Sequence, residues 1–100
     1  MHVISHRKIV EAQKRFPESA TALDYWYRLM KRGSYGSFAK LRATFGSVDK
    51  VGRVYVFDVG GNKVRLIAAI HFNRQKAFVR MVLSHDEYDD DAWKRKVGSK

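Results

Sequence analysis

Between Val54 and Ile67 the chain carries two runs rich in β-branched and aromatic residues, in which apolar and polar positions alternate, split by Gly60-Gly61. Strand side chains alternate faces with a period of two and a Gly-Gly dipeptide favours a tight turn, so the pattern predicts a β-hairpin. With the glycines as a two-residue turn, Val59 faces Asn62. Pairing backwards sets Asp58 against Lys63, Phe57 against Val64, Val56 against Arg65 and Tyr55 against Leu66. One face then carries Tyr55, Phe57, Val64 and Leu66, and the other Val56, Asp58, Lys63 and Arg65. The apolar face calls for a helical cover.

A second turn is predicted at Asn73-Arg74-Gln75-Lys76, followed by a third strand from Ala77 to Ser84. Pairing Phe72 with Ala77 sets Ile70 against Val79 and Ala68 against Met81 on the covered face. It sets Ala69 against Arg80 and Arg65 against Ser84 on the other, so Arg65 and Arg80 share one open surface.

Helical spacing governs the first half. Ile9, Ala12 and Phe16 recur with basic residues between them, Ser5 stands where a helix cap is expected, and Pro17 ends the segment. Leu23, Trp26 and Met30 mark the buried stripe of a second helix, capped by Ser19 or by Thr21 with Asp24 in a capping box, and closed by Lys31, Arg32 and Gly33. Ser37 caps a short third helix, with Phe38, Leu41 and Phe45 on one side and Lys40 and Arg42 on the other. Trp26 and Tyr27 have faces on which a base can stack, but a place on an amphipathic helix assigns them to packing. Met1 to Ile4 reads as a short strand, residues 46–52 as a loop into the hairpin, and Ala92 to Lys96 as a short helical tail. Helices followed by a run of strands make the class α+β.

One hundred residues, 45% of them hydrophobic, bound a single domain spanning 1–100 with a modest core. No apolar run nears the roughly 18 residues of a membrane span and the opening lacks a signal-peptide core, so no membrane partner and a cytoplasmic location are expected. The absence of cysteine removes disulfides, thiolate zinc sites and cysteine nucleophiles together. His2, His6, His71 and His85 lack paired ligand spacing, so neither a metal nor another cofactor is expected. A phosphate-binding loop and a nucleophile elbow are also missing.

Charge points to a partner. Twenty Lys and Arg stand against ten Asp and Glu, a net +10, and five of the ten acids are Asp86, Glu87, Asp89, Asp90 and Asp91. The remaining surface is therefore more basic still, and a polyanion is its natural partner. Lys50, Arg53 and Lys63 are the candidate RNA-binding cations around the hairpin.

Candidate chemistry gathers at the end of the third strand. Arg65 and Arg80 share the open face, and Ser84-His85-Asp86-Glu87-Tyr88-Asp89 follows as a polar, acidic turn. Cleavage of RNA by its own 2′-hydroxyl needs a group to take the hydroxyl proton, cations to hold the phosphate and a donor for the leaving oxygen. His85 exchanges protons near neutral pH, Arg65 and Arg80 suit a phosphate clamp, Tyr88 suits base stacking or a share of the proton work, and Asp89 suits orientation of the imidazole or the arginines. The same residues also admit a plain structural reading, in which Arg65 pairs with Asp58 or Asp89, His85 joins a surface ion pair and Tyr88 closes the core edge.

These motifs carry a resemblance. Met1-His-Val-Ile-Ser, Trp26-Tyr27, Val56-Phe57, Gly61-Asn62-Lys63 with Arg65-Leu66-Ile67, and Ser84 to Asp89 together resemble the HigB family of type II toxin–antitoxin toxins, within the RelE/ParE superfamily. Ser84 stands where the family usually has Thr, and Asp58 where it often has Asn. The resemblance implies two or three N-terminal helices on a curved, mainly antiparallel sheet, with the site on its concave face. It implies a ribosome-dependent mRNA endonuclease that works without metal, neutralised by a cognate helix-turn-helix antitoxin of the HigA kind. His85, Tyr88 and Asp89 fall in the family's terminal motif and Arg65 in its Gly-Asn-Lys-x-Arg motif, whereas Arg80 rests on the strand pairing. A non-catalytic RNA-binding module and a ParE-like, gyrase-directed toxin remain as alternatives.

Overall fold

A computed structural model describes residues 1–61 and 63–97 of the chain. The amphipathic segments of the first half form α1 (His6–Arg15), α2 (Ala20–Arg32) and α3 (Phe38–Thr44), after a short strand β1 (His2–Ile4). Then come β2 (Asp49–Val51), β3 (Val54–Val59), β4 (Val64–His71) and β5 (Lys76–Ser84), followed by the short helices α4 (His85–Asp89) and α5 (Trp93–Val97). The strands make one five-stranded sheet in the order β1-β5-β4-β3-β2, antiparallel except for the parallel β1–β5 pair. The α+β architecture of helices packed on a sheet, with a short C-terminal helix, is the expected one.

The helical stripes bury what their spacing assigned to the core: Ile9 and Ala12 from α1, Leu23, Trp26 and Met30 from α2, and Leu41 from α3. They meet Tyr55, Phe57, Val59, Val64, Leu66, Ala68, Ala77 and Val79 on one face of the sheet. Burial of this apolar surface, at about 25 cal/mol per Å², is the main stabilising term for the helix–sheet packing.

One expected cap forms and two do not. Ser37 does cap α3, accepting from Lys40 N. Ser5 sits at the entry to α1 with φ +75° and no capping bond, so it makes a turn out of β1 instead of a cap. Thr21 forms no capping box with Asp24, because a 3₁₀ turn at Pro17–Ser19 already leads into α2 and places Thr21 inside its first turn. Asp24 pairs with Arg28 instead, at 2.9 Å.

The sheet corrects the registers. The first hairpin closes at Val59–Val64, not at a two-residue turn, so Phe57 faces Leu66, Asp58 faces Arg65 and Tyr55 faces Ala68; Asn62 itself lies outside the described residues. The longer connection, with Gly60 and Gly61 at positive φ, lets Val59 and Val64 share the core and puts opposite charges across from each other. The displacement is two residues, so the faces expected for Tyr55 to Asp58 and Val64 to Leu66 survive.

The second hairpin departs further. Phe72 lies in a 3₁₀ turn, Ile70 faces Ala77 and Ala69 faces Phe78. A β-bulge between Ile67 and Ala68 then leaves Arg80 without a ladder partner and shifts parity beyond it, so Met81 faces Ile67 and Leu83 faces Arg65. Met81 therefore leaves the helix-covered face to which the expected register sent it.

Residues 46–52 are not all loop, since β2 pairs with β3 there. The face expected to be open is also partly covered. Trp93 lies on Val54, Val56 and Ile67 in a second, smaller core, with Val51, Met81, Leu83 and Tyr88 packed around it. No helix among the described residues is long and apolar enough to cross a membrane.

Candidate active site

Arg65 is the anchor of the cluster. It lies directly across the β3–β4 ladder from Asp58, whose Oδ1 is 2.9 Å from Arg65 Nε, and the residue is only 7% exposed. A cation withdrawn this far from water requires a counter-charge, and the ladder supplies one. Arg65 Nη2 in turn lies 3.2 Å from His85 Nδ1, and the guanidinium carbon lies 5.4 Å from the centroid of the Tyr88 ring.

His85 and Asp89 are placed by α4, not by the polar turn that the composition suggested. Ser84 accepts from Glu87 N while Glu87 Oε1 accepts from Ser84 N, a complete capping box that starts the helix directly at the end of β5. The helix puts residues four apart on one side, and His85 Nε2 lies 3.1 Å from Asp89 Oδ2. Arg15 of α1 reaches Glu87 Oε2 at 2.7 Å. That hydrogen bond, with the backbone N–H of Ser84 next in weight, holds the Glu87 carboxyl below its ordinary value of 4.5.

The two contacts of His85 select one tautomer. A guanidinium only donates, so the Arg65 bond requires a bare, accepting Nδ1, and the proton of the neutral ring then sits on Nε2. From there it donates to Asp89. Exposure rises from 9% for the Arg65 side chain to 52% for His85 and 60% for Asp89, so the imidazole, unlike the arginine, is open to an incoming molecule.

Tyr88 is held from behind. Trp93 stacks on it with ring centroids 5.2 Å apart and donates from Nε1 to Tyr88 O at 3.0 Å. The sequence pattern assigned Trp93 no role, although an aromatic residue just past an acidic run is the one signal it offered. The Ser-x-x-Glu capping pattern at Ser84 was equally visible and would have replaced the polar turn with a helix.

The cluster thus brings together Arg65, His85, Tyr88 and Asp89, with Asp58 added. It does not include Arg80. The bulge takes that residue out of the ladder, its guanidinium lies 5.8 Å from the Phe78 ring centroid, and its backbone carbonyl accepts from Lys8 Nζ. Lys63 sits in the hairpin connection, 3.7 Å from Glu18. Lys50 lies on the edge strand β2 over the Tyr55 ring, and Arg53 is exposed in the β2–β3 turn. Arg53 is five residues before Asp58 and so about 17 Å away at roughly 3.3 Å per residue. Lys50 and Arg53 thus lie by the far end of β3, whereas Lys63 adjoins the Val64–Ser84 pair from which α4 starts, with its ammonium turned to Glu18. Among the described residues, no group of three or more His, Asp and Glu is placed to hold a metal ion.

Comparison with known proteins agrees with the motifs. Residues 19–91 match the HigB toxin family, described as the RelE-like toxic component of a toxin-antitoxin system. The "mRNA interferase HigB" of Escherichia coli O6:H1 is 36% identical over 92 residues, covering 89% of each chain. The "mRNA interferase toxin HigB" of Escherichia coli K12 is 34% identical over 92 residues, covering 89% of this chain and 88% of its own. The "mRNA interferase HigB" of Shigella flexneri matches at the same identity and coverage.

Proposed function

The chain belongs to the HigB family of RelE-like toxins, and from that membership we propose that it is an endoribonuclease that cuts messenger RNA on the translating ribosome, without a metal ion. A toxin of such a system has an antitoxin partner; we take it to be a helix-turn-helix protein of the HigA kind. Its place of action is the cytoplasm, where translation proceeds.

The observation that carries the catalytic reading is the Arg65–His85–Asp89 chain, anchored in the sheet at one end and reachable at the imidazole. An anionic phosphate oxygen accepts a guanidinium hydrogen bond more strongly than a neutral ring nitrogen does. A scissile phosphate arriving beside His85 therefore takes over Arg65 Nη2 and frees Nδ1. Nδ1 then removes the proton from the neighbouring 2′-hydroxyl, and the 2′-oxygen attacks phosphorus. The bond to the 5′-oxygen breaks, leaving a 2′,3′-cyclic phosphate, and the departing oxygen takes a proton from water. Asp89 stabilises the imidazolium as the carboxylate of a catalytic triad does. Arg65 holds the charge that builds on the phosphate. Tyr88, backed by Trp93, forms the wall of the site, and the ribosome supplies the alignment of the message.

The test is induced expression of wild type beside His85→Ala, with RNA sampled within minutes and its 5′ ends mapped with and without a translation inhibitor. Wild type should cut at a fixed codon position, and the cuts should vanish in the inhibitor and fall by about 10²- to 10⁴-fold in the folded variant. Intact messages with new DNA breaks would point to gyrase instead. Intact messages without breaks would leave an RNA-binding protein.

A further inference from the structure

The lid formed by α4 and α5 covers only part of its side of the sheet. Beyond Ile67 that side continues through Ala69 and His71 on β4 and through Lys76 and Phe78 on β5, with His2 and Ile4 of β1 alongside. Phe78 is half-buried and belongs to neither hydrophobic cluster. An aromatic ring that packs into no core, on a sheet face of a strongly basic chain, calls for a reason. Its neighbours supply one. The His71 ring stands perpendicular to it at 5.4 Å, and the Arg80 guanidinium lies 5.8 Å from its centroid on an exposed side chain.

The bulge is what makes this group. Without it Arg80 would take a ladder position; with it, the residue is re-aimed beside Phe78 while Lys8 holds its carbonyl at 2.8 Å. The same edge carries further cations. β1 covers β5 only from Lys76 to Phe78, and past that point Lys8, Arg15 and Arg80, with Glu11 among them, line a depression of about 280 Å³ along the free edge toward Ser84. Arg80 thus stands where the aromatic group meets a depression that also holds Lys8 and Arg15, so cations adjoin the exposed ring.

We propose that Phe78, framed by His71 and Arg80, is a base-stacking subsite for single-stranded RNA, with Arg80 and the neighbouring Lys8 meeting the phosphates that flank the stacked base. The proposal rests on the reading of the chain as an RNA-cleaving toxin and names where a nucleotide away from the scissile bond is held. Aromatic and guanidinium planes bind unpaired bases because every base presents a π face, and flanking cations satisfy the backbone. Duplex RNA keeps its bases stacked inside and has no use for such a surface.

The test is fluorescence anisotropy of the full chain with a labelled 2′-O-methyl uridine octamer, which cannot be cut through a 2′-hydroxyl, beside a duplex of equal length. Phe78→Leu preserves apolar volume on a half-exposed position and removes the π face. It should weaken binding of the single strand by about tenfold and leave the duplex unchanged. Phe78→Trp should retain binding and show quenched indole emission on titration. Arg80→Gln should lower the slope of log affinity against log salt by about 0.7. A wild-type protein that does not bind the octamer, a Leu variant that binds it as wild type does, or equal losses for duplex and single strand would each overturn the subsite. Because the probe is uncleavable, the outcome separates from that of the message-mapping experiment. Codon-specific cuts with an indifferent Phe78 would retain the nuclease and discard the subsite, and Phe78-dependent binding with intact messages would do the reverse.

Discussion

Arg65 and Asp58 show how one residue pair settles both stability and chemistry. The pair lies between two regimes, since the Arg65 side chain is 9% exposed and that of Asp58 34%. Exposed pairs contribute about 1 kcal/mol or less, whereas breaking a fully buried pair costs about 3–5 kcal/mol. Asp58→Asn, which keeps the shape and removes the charge, should cost about 2 kcal/mol in urea unfolding. Repeated in an Arg65→Met background, the substitution should cost much less, because the cation it neutralises is gone. Equal costs in the two backgrounds would show that Asp58 acts by something other than this pair. Under the proposed mechanism its effect on RNA cleavage should exceed its effect on folding, since Arg65 would there release His85 from a fixed position.

At the scale of elements, α4 is the decisive one. Five residues are too few for a free-standing helix, so its existence depends on the capping box, on Arg15 and on the lid behind it. Glu87 links the first two. Its carboxyl ionises more readily in the folded chain than in the unfolded one, so its contribution is fully present above the ordinary 4.5 and is lost as pH falls through the lower folded value. Wild type should therefore lose melting temperature below about pH 4.5 more steeply than Glu87→Gln, whose side chain does not titrate. The difference will be small, because both Arg15 and Glu87 remain largely solvated. Parallel melting curves for the two proteins across pH 3 to 6 would mean that Glu87 does not hold α4 in solution.

The molecule as a whole carries two hydrophobic clusters back to back on one sheet. Phe57 is 1% exposed and meets Trp26 and Phe45 edge-on at 5.3 and 5.2 Å, on the side of α1 to α3. Trp93 closes the other side against Val54, Val56 and Ile67. Because β3 and β4 belong to both clusters, neither can melt without stripping the other of its floor. Phe57→Ala should cost about 3–5 kcal/mol and Trp93→Ala about 3 kcal/mol, each lowering a single transition seen alike by circular dichroism and tryptophan emission. Two separated transitions would show that the lid unfolds by itself. The net charge of +10 works at this scale too, since it attracts any polyanion to the surface before a specific contact forms.

Periodicity alone was sufficient for α1 to α3, the faces of the central strands and the assignment of Trp26 to the core, because the side to which a residue points follows from local backbone geometry. The same local rule explains why the hairpin faces survived a pairing wrong by two residues: parity is kept under such a shift. It explains equally why Arg80 has no ladder partner and Met81 changed face, since a bulge inserts one residue and reverses parity beyond it. The chemical types of the candidate site, an arginine, a histidine, a tyrosine and an aspartate, were legible in the motifs. Their arrangement was not. Register depends on which pairing buries Val59 with Val64 and neutralises Arg65 with Asp58, and these are contacts between residues distant in the chain. The lid depends on Trp93 finding the back of the sheet, and the tautomer of His85 on Arg65 arriving at one nitrogen and Asp89 at the other. Such outcomes are decided by packing and by the need to satisfy buried charge, which come into being only when the chain has closed on itself.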